Sequence, residues 1–274
     1  MRILIVGLGL IGGSFARAIK AGTTHTVVGL DRDEAVVKAA LKANAIDLAA
    51  DENSVEDADL VIVAVTPQAC VDFIKQNAAR FKSGAVVMDI CGVKGAVYDG
   101  IADTVREHRL RFVGAHPMAG KERGGFANSS ADLFAGASLI VTPEGADSDA
   151  VATVRRLALD IGFAMCKETD IKTHDRMIAY TSQLAHVLAC SYVRDPLALG
   201  HRGFSAGSFR DVTRVATIDE NMWSELFLEN KAALSDEIGV LISNLAQFKT
   251  AIDSSDREKL RSLMKESRLI KDKI

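Results

Sequence analysis

The first 165 residues alternate between short apolar runs and amphipathic stretches. The apolar runs predict strands buried on both faces, as in parallel sheets, at residues 2–6, 26–30, 59–65, 85–90, 110–115 and 137–142. The stretches between them have helical periodicity, at about 11–21, 34–44, 68–81, 96–107 and 148–161. Because strands alternate with helices, we predict an α/β fold with a parallel sheet and right-handed crossovers.

From about Glu168 the strand signals stop and long helical periodicity takes over, at residues 169–194, 223–250 and 254–271. Ser254 and Ser255 are candidate N-caps of the last helix. We therefore predict an all-α domain over 166–274, after an α/β domain over 1–165. Its apolar positions could pack against a second copy of the chain, so we expect a homodimer.

A glycine loop follows the first predicted strand directly. The residues from Gly7 to Gly12 match G-x-G-x-x-G. In this motif Gly7 makes a tight turn, Gly9 lets a pyrophosphate approach the backbone, and Gly12 allows close packing of helix on strand. The first amides of the next helix, at Leu10 and Ile11, then face the phosphate at the positive end of the helix dipole. The loop predicts a Rossmann-type dinucleotide-binding domain.

The second predicted strand ends at Asp31, about twenty residues after the loop, where an acidic side chain can bind both ribose hydroxyls of an adenosine. Asp31 would repel a 2′-phosphate, which favours NAD over NADP. Arg32 could bind that phosphate, so NADP is possible. The alternative is a turn and a strand end in some other doubly wound fold.

The bulk composition points to small-molecule partners. The formal net charge is −3, and the absence of a basic run predicts no binding to nucleic acid or membrane. The N-terminal apolar stretch is too short for a signal peptide or a membrane span, so we expect a cytoplasmic protein. The four cysteines lack C-x-x-C spacing, which predicts reduced thiols and no metal site. Cys91 is either near a ligand or an inert filler.

Ligands of parallel sheets bind outside the carboxyl ends of the strands. This rule predicts one crevice containing the glycine loop, Asp31, Thr66, Gly92 to Lys94, and His116 to Lys121. His116 could accept a proton from an alcohol while hydride leaves the same carbon. Alternatively, it only caps the strand end by hydrogen bonding.

The helical half has two polar features. The first, His174-Asp175-Arg176 followed by Ser182, Gln183 and His186, is either solvated surface or the wall of a polar cavity. The second is the stretch Ser205 to Arg214, in which small residues around Gly207 lead into a predicted helix start that places Arg210 and Arg214 on one face. Paired arginines indicate an anionic substrate, unless they form surface ion pairs with Asp211 or Asp219.

Taken together, these motifs resemble the prephenate/arogenate dehydrogenase family of tyrosine biosynthesis, in the family's order and over nearly the whole chain. The residues that carry the resemblance are Gly7 to Ser14, Asp89, Gly92 to Lys94, His116 to Glu122, His174, Asp175, Ser182, His186 and Asp211 to Arg214. The stretch His-Pro-Met-Ala-Gly-Lys-Glu at 116–122 is the most specific part.

The resemblance implies a Rossmann domain, a helical dimerisation domain, and NAD(P)-dependent oxidative decarboxylation. Prephenate would give 4-hydroxyphenylpyruvate, and arogenate would give tyrosine. In the family, the residue matching His116 binds the ring C4 hydroxyl and assists its deprotonation, and the residue matching Arg214 holds the ring carboxylate. The implied substrate site also includes Lys121, Gln183, His186 and Gly207, and the cofactor site includes Thr66 and Gly92. No metal is needed, and tyrosine is a possible inhibitor at the active site.

The sequence departs from the family at two positions. Family members commonly carry serine at Gly92, where it helps to hold the histidine and the substrate hydroxyl, and many carry histidine at Gln183, near the substrate side chain. The choice between prephenate and arogenate is therefore open. Two other functions compete: a β-hydroxyacid or imine reductase, which would need a lysine that is absent between Thr173 and Arg194, and a dinucleotide-binding sensor without turnover.

Overall fold

The computed structural model describes residues 1–121 and 123–274, and its N-terminal part is built on an eight-stranded sheet. The strands are β1 (Arg2–Val6), β2 (Thr26–Leu30), β3 (Leu48–Ala49), β4 (Leu60–Val63), β5 (Val86–Asp89), β6 (Arg111–Pro117), β7 (Ser138–Thr142) and β8 (Met165–Glu168), in the order β3-β2-β1-β4-β5-β6-β7-β8. The pairs from β3 to β6 are parallel, as the sequence predicts.

The connection after β6 breaks the parallel pattern, since β7 pairs antiparallel with β6. A parallel neighbour needs a crossover, usually a helix, but the described residues of this connection contain only the short 3₁₀ turn Phe126–Asn128. The edge strand β8 then pairs parallel with β7. The strands β3 and β8 have no counterpart among the predicted strands. The predicted boundary between the two domains, after residue 165, falls within β8 and stays a proposal.

Helices cover both faces of the sheet. They are α1 (Leu10–Gly22), α2 (Glu34–Lys42), α3 (Ser54–Asp57), α4 (Pro67–Asn77), α5 (Gly95–His108) and α6 (Ser148–Asp160). One face packs around Phe15, whose ring centroid lies 4.6 Å from that of Phe134. The other face is a smaller cluster that includes Leu4, Val61 and Ile101. This two-sided burial explains why the strands in the middle of the sheet are almost entirely apolar.

The C-terminal part is helical: α7 (Ile171–Ile178), a π turn (Ala179–Gln183), α8 (Leu184–Val193), α9 (Gly207–Thr213), α10 (Glu220–Glu229), α11 (Lys231–Asp253) and α12 (Arg257–Lys271). Residues 171–193 form one helical segment, in which the π turn joins α7 directly to α8. The helix predicted over 223–250 is instead two helices that meet at Asn230. Nowhere in the described residues does a helix combine the length and the apolar character needed to cross a membrane.

The prediction that Ser254 and Ser255 cap the last helix is wrong. Ser254 closes α11, and Ser255 has a positive φ of 55°. Asp256 is the N-cap of α12, and its carboxylate accepts a hydrogen bond from the amide of Lys259 at 2.9 Å. An aspartate satisfies the same exposed helix amides as a serine and adds a favourable charge at the positive end of the dipole.

Candidate active site

The glycine loop lies between β1 and α1 at the carboxyl end of the sheet. Gly7 has a φ of +88°, and a side chain there would collide with the Ala64 carbonyl. A side chain at Gly12 would collide with the carbonyl of Gly7, so helix and loop pack at backbone distance. At Gly9, by contrast, an added Cβ would have no atom within 4 Å. The open side of the loop at Gly9 therefore fits the pyrophosphate of a dinucleotide, which the first amides of α1 at Leu10 and Ile11 can bind.

Asp31 lies beside this loop and holds it in place. Its Oδ2 accepts from the Leu8 amide at 2.7 Å, and its Oδ1 accepts from the Asp33 amide at 3.0 Å. Arg32 is exposed. Thr66 is the N-cap residue of α4, next along the same edge of the sheet. These positions agree with a ribose and pyrophosphate site along the carboxyl ends of β1, β2 and β4.

His116 is the penultimate residue of β6, and its ring is the first member of a chain of hydrogen-bonded groups. Its Nδ1 lies 3.0 Å from Nε2 of His174, a buried residue on α7. The other nitrogen of His174, Nδ1, lies 2.7 Å from Oδ1 of Asp175. The carboxylate of Asp175 also accepts from the amides of Lys94 and Gly95, at 2.9 and 2.8 Å.

The chain of contacts determines which nitrogen carries each proton. Burial alone would raise the pKa of Asp175, but the bonds from His174 and the two amides outweigh it and lower that pKa. An ionised Asp175 accepts from Nδ1–H of His174, which leaves Nε2 of His174 as an acceptor. Nδ1 of His116 must then donate to it, and Nε2 of His116 presents a lone pair.

The environment keeps His116 uncharged. Burial, the ammonium of Lys94 and the neighbouring His174 lower the pKa of His116 well below the usual histidine value. Lys94 was expected in the ligand crevice, but it is 2% exposed and forms a buried ion pair with Asp89. Its Nζ also donates to the carbonyl of Ala115 at 2.6 Å. Lys94 therefore affects His116 in two ways: its charge lowers the pKa of His116, and its hydrogen bond to Ala115 fixes the backbone just before His116.

Gly92 lies beside Nε2 of His116, the nitrogen with the free lone pair. A Cβ at Gly92 would be 3.8 Å from Nε2 of His116 and 3.6 Å from Cδ2 of Leu226. Both are ordinary van der Waals distances, so there is room for a small side chain at this position. Leu226 belongs to α10, and its proximity shows that the helical half forms one wall of the site.

A second polar group lies on α8 and the segments that pack on it. Nδ1 of His186 lies 2.8 Å from the carbonyl of Val215, and the ring lies 3.8 Å, centroid to centroid, from that of Trp223. Burial and the charge of Arg214 lower the pKa of His186, while the bond to Val215 opposes the shift. Arg214 begins a 3₁₀ turn and is exposed. The structure thus brings two predicted substrate residues, His186 and Arg214, into one neighbourhood.

The other predicted substrate residues lie in different surroundings. Gln183 is 2% exposed and is hydrogen-bonded to Leu226 and Asn230. Lys121 donates from Nζ to the Asn128 carbonyl at 2.8 Å, within its own loop. Gly207 begins α9. Glu122, the last residue of the 116–122 motif, lies outside the described residues.

The structure also bears on one suggested ion pair of the arginines and on the two alternatives for Cys91. Asp219, one suggested ion-pair partner of the arginines, caps α10 by accepting from the amides of Asn221 and Met222, both at 3.0 Å. Cys91 is buried, and a hydrogen bond to Cys70 together with burial raises the pKa of its thiol well above the usual value. That environment favours the inert filler role.

Sequence reasoning did not find Trp223, Leu226 and Asn230 as site residues. All three lie within the predicted helix 223–250, where an apolar or amide side chain gives no chemical signal of its own. Their role is visible only when α10 is packed against α7 and α8. The polar residue Asn230, inside the apolar pattern of the predicted helix, was the one sign in the sequence that the helix divides there into α10 and α11.

Comparison with known proteins agrees with this geometry. The family profile described as "Prephenate dehydrogenase, nucleotide-binding domain" matches residues 15–167, and "Prephenate dehydrogenase, dimerization domain" matches residues 170–266. The chain belongs to the prephenate dehydrogenase family. The predicted order of domains and the predicted enzyme class, an oxidoreductase of tyrosine biosynthesis, are confirmed.

Individual members of the prephenate dehydrogenase family match almost the whole chain. The prephenate dehydrogenase of Bacillus subtilis (strain 168) is 32% identical over 283 residues, which are 98% of this chain and 75% of that protein. The cyclohexadienyl dehydrogenase of Zymomonas mobilis is 34% identical over 279 residues, 97% of this chain and 93% of that protein. The crystal structure of prephenate dehydrogenase from Aquifex aeolicus, in complex with hydroxyphenyl propionate and NAD+, has a TM-score of 0.88 and 27% identity, and covers 100% of this chain and 98% of that chain.

Proposed function

We propose that this protein oxidises and decarboxylates prephenate, arogenate or both, with NAD as the hydride acceptor. The observation that carries the proposal is the chain from Asp175 through His174 to His116, which leaves an unprotonated Nε2 at the carboxyl edge of a dinucleotide-binding sheet. The family relatives named above support it, among them an enzyme crystallised with NAD+ and a substrate-like acid.

The chain's own residues fit NAD. The open face of Gly9 and the start of α1 accept the pyrophosphate, and Asp31 accepts from the adenosine ribose hydroxyls. Thr66 and Gly92 continue the same edge of the sheet toward His116. Because Arg32 is exposed next to Asp31, NADP is the second cofactor to be tested.

In the proposed reaction His116 is the general base. Its Nε2 accepts the proton of the C4 hydroxyl on the substrate ring. The positive charge that develops on the imidazole of His116 is stabilised through His174 by the carboxylate of Asp175. Bound NAD supplies the acceptor for the hydride that leaves C4. Carbon dioxide then leaves the ring, which becomes aromatic, so the step is strongly downhill and the site needs no metal.

The substrate acid binds between the two halves of the chain. Arg214 holds the ring carboxylate with its planar guanidinium, and His186 lies close enough to Arg214 to contact the side chain attached to the same ring carbon. Lys121 and Gly207 are proposed to complete the anionic end of this site. Tyrosine has the amino acid side chain of arogenate and a ring hydroxyl at the same position, so any inhibition by tyrosine would be competitive.

We also propose a homodimer formed by the helical half. A match to a dimerisation domain supports this, as do exposed apolar side chains on its surface, among them Leu197, Leu199, Phe204, Ile242 and Leu245. A cytoplasmic location stays a prediction.

The deciding experiment is a steady-state assay of nicotinamide reduction with prephenate and arogenate, each with NAD and NADP. Turnover with either acid supports the proposal and reports the substrate preference, and failure with both acids and both cofactors would refute it. His116→Ala should lower kcat by about a hundredfold or more and keep NAD affinity, with the exposed His108→Ala as control. A sensor without turnover would be unaffected by the loss of His116.

Two further variants test the binding roles. Arg214→Ala should raise KM for the acid with little change in KM for NAD, and equal losses would mean that Arg214 supports the fold. Asp31→Ser should relax discrimination against NADP. If it does not, Asp31 is not the ribose ligand.

A further inference from the structure

A buried pair of amides lies behind the catalytic chain. Asn230, between α10 and α11, is 6% exposed, and Gln183, at the end of the π turn, is 2% exposed. The Nδ2 of Asn230 donates to Oε1 of Gln183 and to the carbonyl of Asp175, both at 2.8 Å. The Nε2 of Gln183 donates to the carbonyl of Leu226 at 3.2 Å.

The two amides have only one compatible orientation. If Gln183 turned its amide over, its oxygen would face the Leu226 carbonyl, and its NH₂ would face the NH₂ of Asn230. If Asn230 turned over, its oxygen would face two other oxygens, those of Asp175 and Gln183. Two backbone carbonyls, which can only accept, therefore determine both side chains. Buried amides held in this way keep a fixed geometry, since a buried donor or acceptor left without its hydrogen bond is destabilising.

The pair is attached to the residue that orients the catalytic histidines. Asp175 gives its backbone carbonyl to Asn230 and its carboxylate to His174. It lies one turn before the π turn, and the amide of Ala179 is shared between the carbonyls of Asp175 and Arg176. The π turn widens the helix directly after this point, and the amide of Asn230 supplies a second donor to the carbonyl of Asp175.

We propose that Asn230 and Gln183 are positioning residues for the base His116, and that Gln183 acts through Asp175 and His174 and not by touching the substrate. The proposal rests on the proposed dehydrogenase function. It changes the meaning of glutamine at position 183, which the family resemblance placed near the substrate side chain. A glutamine whose two polar ends are both bonded within the protein does not select between a keto and an amino group.

The test compares three variants in the full-length enzyme. Asn230→Asp replaces the donor with oxygens that face the oxygens of Asp175 and Gln183. Gln183→Met keeps the length of the side chain and removes both bonds. Asn244→Asp, at an exposed position on α11, is the matched control for the charge. For each protein we would measure Tm, KM for both acids and for NAD, and kcat as a function of pH.

We expect Asn230→Asp and Gln183→Met to lower kcat by about ten- to hundredfold with either acid, and to displace the acid limb of the kcat profile. KM for NAD and the ratio of kcat/KM for the two acids should stay as in the unchanged enzyme, and the control should match it throughout. If Gln183→Met changes that ratio, Gln183 contacts the substrate and the proposal is wrong. A lower Tm with unchanged kcat and pH profile would also overturn it.

A further variant covers the case in which Asn230→Asp does not fold. Gln183→Glu keeps the oxygen that accepts from Asn230, and its second oxygen faces the carbonyl of Leu226, so this buried site favours the protonated acid, which donates there. It should fold and lose less kcat than Gln183→Met, whereas an equal or larger loss would contradict the proposed order of contacts. Absence of turnover in the unchanged enzyme would instead refute the proposed function itself.

Discussion

Nδ1 of His116 lies 3.0 Å from Nε2 of His174, although the two residues are 58 positions apart in the chain. His116 is the penultimate residue of β6, and His174 lies on α7, the first helix of the helical half. The contact therefore couples the proposed base to the helical half, which is proposed to form one side of the substrate site. It also converts the carboxylate of Asp175 into a determinant of the His116 tautomer.

Replacement of His174 tests this coupling. His174→Leu removes the acceptor for Nδ1–H of His116 and should lower kcat by about ten- to hundredfold, because the base loses its orientation and its tautomer is no longer selected. His174→Gln can accept with its oxygen and donate to Asp175 with its nitrogen, so it should keep more activity. Single-turnover rates would measure both. Equal rates for the two variants would mean that His174 only fills space.

The pH dependence follows from the lowered pKa of His116. The unprotonated form is the active base, so activity is present above the pKa of the folded enzyme and is lost as the pH falls through it. Burial and the charge of Lys94 place that pKa below the usual histidine value of about 6.5. A profile of kcat/KM against pH should therefore stay level through neutrality and fall only in more acidic buffer. An acid limb above about 6.5 would contradict this account.

The fold was largely predictable because the central strands are buried on both faces. A strand such as β4 (Leu60–Val63) must be apolar at every position, and such a run is visible without any partner. The strands that the prediction missed lack this property: β3 has two exposed residues, and β8 reads Met-Cys-Lys-Glu at the sheet edge. Antiparallel pairing of β7 was equally hidden, since direction depends on the connection and not on the strand's own residues.

The site was predictable only in part. His116, Asp31 and the glycine loop follow predicted strands, and the rule for parallel sheets places them together. The contacts of His174 and Asn230 depend on how the helical half packs on the sheet and on the break between α10 and α11. A π turn has nearly the same apolar periodicity as an α-helix, so the widening at Ala179–Gln183 left no clear trace in the sequence.

The space at Gly92 predicts an order of activity for two small substitutions. Neither Gly92→Ala nor Gly92→Ser should disturb the fold, because an added Cβ meets only Leu226 at 3.6 Å and His116 at 3.8 Å. The methyl group of alanine lies beside Nε2 of His116 without a polar contact and should lower kcat/KM. The serine hydroxyl can hydrogen-bond there, so Gly92→Ser should be more active than Gly92→Ala. The opposite order, at equal Tm, would mean that this space is not used by the substrate hydroxyl.

Glu229 provides a stability prediction. Its Oε2 is buried without a hydrogen-bond partner in the described part of the chain, and burial together with nearby Glu225 raises its pKa to about 7. The folded state therefore favours the protonated acid, and stability falls as the pH rises from the unfolded pKa of about 4.3 through the folded value.

Glu229→Gln should thus stabilise the protein at pH values above about 7, by about 1–2 kcal/mol after allowance for partial exposure, and change little near the unfolded pKa of about 4.3. Urea unfolding at both pH values would measure the difference. The exposed Glu266→Gln on α12 is the control. Equal effects of Glu229→Gln at both pH values would refute the assigned pKa shift.

Alanine at two positions of the glycine loop should have two different effects, on stability at Gly7 and on NAD binding at Gly9. Gly7→Ala forces a side chain into a positive φ of +88° and against the Ala64 carbonyl, so it should lower Tm and destabilise the domain by more than about 1 kcal/mol. Gly9→Ala adds a methyl group where no atom lies within 4 Å, so Tm should be unchanged.

The methyl group of Gly9→Ala instead occupies the proposed pyrophosphate position and should raise KM for NAD by about tenfold or more, with a smaller effect on KM for the acid. Thermal unfolding and NAD titration would separate the two effects. If Gly9→Ala bound NAD as tightly as the unchanged enzyme, the cofactor would not cross the loop at Gly9, and the dinucleotide site would have to be placed elsewhere along the sheet edge.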